Sequence, residues 1–146
     1  MFQFEKKIIS SNIARFRIIA EETENHDIAG TLYNDSYGFA IDFQGIRQML
    51  GYLDDFFDYV NFPQATHEKR RFYEEKDRIP KLPRGLRDVT PEEMQDKKAS
   101  FLLHVQFRQN STWQGTLEWF PEKKTRQFRS ELEMIGLISQ ALKNKI

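Results

Sequence analysis

The chain of 146 residues balances 22 Lys+Arg against 22 Asp+Glu and contains no Cys. The missing Cys exclude disulfides, thiolate metal sites and cysteine nucleophiles, and zero net charge gives no global attraction to nucleic acid or an anionic membrane. Aromatic residues make up 14% and include 13 Phe, enough large side chains for a core in one ordinary domain or one small tandem duplication.

At the start, Glu5, Lys6 and Lys7 interrupt the apolar residues of positions 1–10, so no signal-peptide core is read there. No run approaches the roughly 18 apolar residues of a spanning helix. The expectation is a soluble cytoplasmic protein with no membrane association.

From about residue 13 the hydrophobic period is two. Phe16, Ile18 and Ala20 oppose Arg15, Arg17 and Glu21, the pattern of a half-buried antiparallel strand. A polar turn at residues 24–27 leads to a second strand at 28–33, and Asn34-Asp35-Ser36 turns into a third at 38–42. The period then becomes 3.6: Phe43, Ile46, Met49, Leu50, Leu53, Phe56, Phe57 and Val60 form one helical stripe. Asp54, Asp55 and Asp58 lie near the end of that helix, where the macrodipole disfavours negative charge. They read either as a solvated face or as partners of the basic run Lys69-Arg70-Arg71.

Residues 61–98 form a charged connection holding four of the five Pro, too long to be wholly structureless. Thr90-Pro91-Glu92-Glu93 is a helix-start pattern, and a short helix to about Lys98 is predicted.

The same series then returns. Gly30-Thr31-Leu32 recurs as Gly115-Thr116-Leu117, an offset of 115 − 30 = 85, which also aligns Phe16 with Phe101, Phe43 with Phe128, Met49 with Met134 and Gly51 with Gly136. Phe101, Leu103, Val105 and Phe107 face one way on a predicted strand, with Ser100, His104, Gln106 and Arg108 opposite. Strands at 113–120 and 124–128 follow, and then a helix with the stripe Phe128, Met134, Ile135, Ile138, Ala141 and Leu142, widened by Leu132 and Leu137. Ser130 and Glu133 have capping-box spacing; Gly45 and Gln48 are the weaker equivalent. The predicted fold is therefore α+β, a duplicated βββα unit (13–60 and 99–146) whose two helices share one core in one compact domain.

His26, His67 and His104 show no metal-ligand spacing and read as unrelated surface residues. Phosphate-loop and nucleophile-elbow patterns are missing from the sequence, so no catalytic residue, metal or cofactor is assigned. The feature that stands out is the segment 113–129. Trp113, Gly115, Leu117 and Trp119 share a strand face, and Lys123, Lys124, Arg126 and Arg129 surround the following turn and strand. Trp119 with these four cations is a candidate surface for stacking bases and neutralising phosphates. The alternative is core Trp beside an edge strand whose Lys oppose edge pairing.

The stretch Trp113-Gln114-Gly115-Thr116, followed by Phe128-Arg129-Ser130-Glu131-Leu132-Glu133-Met134-Ile135, resembles a motif of small uncharacterised bacterial proteins: a tryptophan-glutamine-glycine strand and then an FRSxLE helix start. That resemblance implies no activity and carries over no functional residue. In outline, the repeated strands-then-helix units are similar to the PUR and Whirly folds, which bind single-stranded nucleic acid with four strands per repeat rather than three. The favoured function is a non-enzymatic binding or adaptor domain with a protein partner or self-association. A nucleic-acid module using the 113–129 hairpin is the alternative, and an enzyme with a site between the repeats is a third class.

Overall fold

In chain order the elements are β1 (Arg15–Glu22), β2 (Ile28–Asn34), β3 (Phe39–Gln44), α1 (Ile46–Val60), β4 (Arg87–Asp88), β5 (Phe101–Phe107), β6 (Gln114–Trp119), β7 (Lys124–Phe128) and α2 (Glu131–Lys143). They belong to a computed structural model that describes residues 14–65, 81–90, 92–93 and 100–143. All seven strands join one antiparallel sheet in the order β4-β3-β2-β1-β5-β6-β7. The fold is α+β. The predicted run at 1–10, the basic run 69–71, His67 and the helix beyond Glu93 lie outside the described residues.

The central pairing is β1 with β5. Phe16 faces Leu103, Arg17 faces Leu102 and Ile18 faces Phe101. Arg17 thus lies opposite the residue 85 positions ahead of it. Alternate residues of the sheet face the helices and bury there: Phe16, Ile18, Leu32, Ile41, Phe43, Phe101, Leu103 and Leu117 join Met49, Leu53, Phe56, Phe57, Met134 and Ile138 in one apolar cluster. Leu132, expected to widen the stripe of α2, is 79% exposed, because that stripe is narrower than the sequence pattern suggested.

Carboxylates close the junction between the first turn and the helix in each half, from opposite sides. In the first half Asp27 Oδ1 accepts from the amides of Ile28 and Ile46, both at 2.8 Å. In the second, Glu131 Oε1 accepts from the Trp113 amide at 2.6 Å and from the Thr112 hydroxyl. Thr112 stands at the offset from Asp27, and Glu131 at the offset from Ile46, so the acid has moved from loop to helix. In the first half the acid meets an orphan amide of the helix N-terminus, that of Ile46; in the second it stands in the first helical turn and reaches back to the strand.

The Ser130 cap forms as expected. Its Oγ accepts from the Glu133 amide at 3.1 Å, while Glu133 Oε1 accepts from the Arg129 amide at 2.7 Å. Gln48 makes the corresponding bond to the Gln44 amide at 2.7 Å. Ser130→Ala is expected to cost about 0.5–2 kcal/mol. Gly45→Ala should cost more than the few tenths that capping alone implies, about 1–3 kcal/mol. Gly45 has φ 98, and an added Cβ would stand 2.9 Å from Asp27 Oδ2. Thermal melts rank the two; a neutral Gly45→Ala would contradict the strain.

The predicted phase of β5 fails at its end. Pairing slips between Val105 and Phe107, a bulge that turns every later side chain to the other face. Phe107, expected inside, is 55% exposed, and Arg108, expected outside, is 5% exposed.

Candidate functional site

The register of β6 with β7 decides where the basic residues point. Trp119 faces Lys124, Leu117 faces Arg126 and Gly115 faces Phe128. Directly opposed residues share a sheet face. Lys124 and Arg126 therefore lie on the helix side of the edge strand, with Trp119. There they rim a groove of about 250 Å³ floored by Phe101, Leu117 and Trp119, with Leu137 and Ala141 of α2 as its wall. Both cations are exposed and form no ion pair among the described residues; Arg126 donates only to the Thr125 carbonyl, at 3.0 Å.

The structure thus brings together Trp119, Lys124 and Arg126 of the five candidates. Lys123 sits in the turn with φ 51. Arg129 turns away to Glu133, at 3.5 Å. Trp119 is half-buried, packed against the core beside α2.

The groove exists because the halves differ at a few positions. Phe39, Ile41 and Phe56 are buried in the first half; at the offset the second half has Lys124, Arg126 and Ala141. In the first half, Phe56 packs 5.3 Å from both Phe16 and Phe39, ring centre to ring centre. The signal was present in the sequence, in the aligned pairs that do not match.

The sheet edges differ too. On β3, Phe39 pairs with Asp88 and Ala40 with Arg87 of β4. A charged cluster holds β4 there. Arg87 meets both Glu93 oxygens, at 2.9 and 3.1 Å, and Glu93 completes a reciprocal cap with Thr90. At the other end of the sheet, β7 has no strand on its outer side among the described residues.

Glu93 and Glu133 are held below the ordinary carboxylate value of 4.5, Glu93 first by the Thr90 amide and then by Arg87, and Glu133 first by the Arg129 amide. A lowered folded-state value contributes stability that is complete above the ordinary pKa and is lost as pH falls through the lowered one. The melting temperature should therefore decline below a pH of about 4.5, and less steeply in a Glu93→Gln/Glu133→Gln variant. Equal steepness would contradict this assignment.

Sequence reasoning missed Arg108. Its Nη1 lies 2.6 Å from Asp58 Oδ1, Nη2 donates to the Phe57 carbonyl at 3.3 Å, and Nε donates to the Pro63 carbonyl. Asp58 thus pairs with Arg108 across the two halves, which absorbs the awkward charge at the end of α1. The cluster is fully partnered and structural. Among the described residues no group of three His, Asp or Glu forms a metal site, and no helix is long and apolar enough to cross a membrane. Comparison with family models, curated proteins and solved structures finds no match for the chain.

Proposed function

We propose that the protein is a non-enzymatic binding module built from two copies of a βββα unit, and that it docks an extended acidic segment of a partner protein along β7. The observation that carries this reading is the contrast between the edges: β3 is covered by β4 at Phe39 and Ala40, whereas among the described residues β7 has no strand on its outer side and its cations Lys124 and Arg126 have no ion-pair partner. Support for the duplication comes from Arg17 facing its own counterpart Leu102, the register that a local two-fold axis produces. It comes also from the matched helix junctions.

An open edge presents unpaired amides and carbonyls, a template for a further strand. Charge selects what is added. A second copy of β7 would set Lys124 and Arg126 against their own kind, which opposes self-association by this edge. An acidic strand finds opposite charges on the helix face.

Selection from a random octapeptide library tests the proposal. The protein should enrich sequences with acidic residues at every second position, and Lys124→Glu/Arg126→Glu should abolish the enrichment while leaving the melt unchanged, since exposed charges contribute little to folding. Enrichment blind to acidity would sink it. Tight binding of single-stranded DNA, lost on replacing Lys123, Lys124, Arg126 and Arg129 by Gln, would favour the nucleic-acid reading instead.

A further inference from the structure

We infer that the groove beside β7 is an anchor subsite for one aromatic side chain of the docked segment, an inference that rests on the docking reading above. The first half shows what this space holds when it is filled. There Phe16, Phe39 and Phe56 close into a ring cluster, with centroid separations of 5.3 to 6.1 Å. At the offset the second half keeps Phe101 but has Lys124 and Ala141, so two of the three rings are missing from the corresponding place. What remains is the groove of about 250 Å³, walled by the surviving ring, Leu117, Trp119 and Leu137.

The same substitutions define the ligand. An apolar floor takes an apolar body, and the two aromatic lining residues, Phe101 and Trp119, favour a ring over a branched chain, by edge-to-face packing. The cations at the rim ask for negative charge next to that ring. A strand added to β7 would lie ~4.8 Å beyond it. Its helix-face residues then flank Lys124 and Arg126, and a long aromatic side chain reaches diagonally across β7 toward the floor. Period two places its acidic neighbours two residues before and after the ring. The motif is therefore acid-x-aromatic-x-acid, in extended form.

Two octapeptides test this, each alternating threonine with helix-face residues: one carries glutamate, phenylalanine, glutamate and valine at those positions, the other alanine in place of the phenylalanine. The phenylalanine peptide should bind the wild type about 10- to 100-fold more tightly, the usual worth of burying such a side chain. Ala141→Phe, which restores the residue found at Phe56, should fold and erase that preference while still binding both peptides weakly through charge. Trp119 lines the groove, so the phenylalanine peptide alone should shift the tryptophan emission of the wild type, a readout that needs no variant. Equal affinities for the two peptides would overturn the anchor and leave edge docking intact. Failure of both peptides to bind would overturn edge docking itself. Binding of 3-phenylpropionate as tight as that of the peptide would overturn the segment as occupant, in favour of a small aromatic acid.

Discussion

Arg108→Ala is expected to destabilise the protein by about 3–5 kcal/mol, the range for breaking a buried ion pair from one side. Arg108 comes from the second half and grips the end of α1 in the first. Its side chain is 6% exposed and that of Asp58 32% exposed. Water can therefore reach part of the orphaned carboxylate, but the Phe57 and Pro63 carbonyls also lose their donor. The Phe57 ring, whose centre lies 5.8 Å from the guanidinium carbon, loses its cation as well. Arg108→Lys keeps the charge but not the fork, and should recover only part of the loss. Chemical denaturation of the single variants and of the Arg108→Met/Asp58→Leu pair gives the coupling. The pair should be less damaged than the sum of the singles. A cost under about 1 kcal/mol for Arg108→Ala would show that the clamp does not hold α1.

The second large effect lies at two glycines. An added Cβ at Gly115 would stand 2.0 Å from the His104 carbonyl oxygen, and at Gly30 1.8 Å from that of Ile19. These are backbone atoms of the neighbouring strand, so no side chain can yield; the strands must part. Gly115→Ala and Gly30→Ala should each cost about 3 kcal/mol or more, the upper range for overpacking. Gly51 and Gly136 form an internal control. Both are helical, exposed and have open space where a Cβ would go. Alanine there should stabilise by about 0.5–1 kcal/mol. Tolerated alanine at residues 30 and 115 would mean that the strands are not held this close.

That the recurring Gly-Thr-Leu was legible follows from the same contact: each glycine is fixed by a neighbouring carbonyl, and the backbone demands it in both halves. The strand-to-helix change of period was legible for a similar reason, since burial on one face enforces it. Phe43 and Phe128 were read into the helix stripes but belong to β3 and β7; they point to the core in either geometry, so periodicity has no power there. The bulge after Val105 left no mark in an alternating sequence, so Phe107 and Arg108 were assigned to each other's faces. A two-residue strand such as β4 has too few positions to show a period. Of the site, the residue types of β7 and its bounds were legible. The groove was not, because it arises from small and charged residues at Ala141, Lys124 and Arg126 where the first half has large apolar ones.

Amide hydrogen exchange across residues 124–128, with and without the glutamate–phenylalanine octapeptide, tests most directly whether β7 is a docking edge. Edge pairing predicts that the outward-facing amides of β7 become protected on binding, while those of Phe39 and Ala40 in β3, already covered by β4, do not change. Saturating peptide with unaltered exchange along β7 would contradict the account.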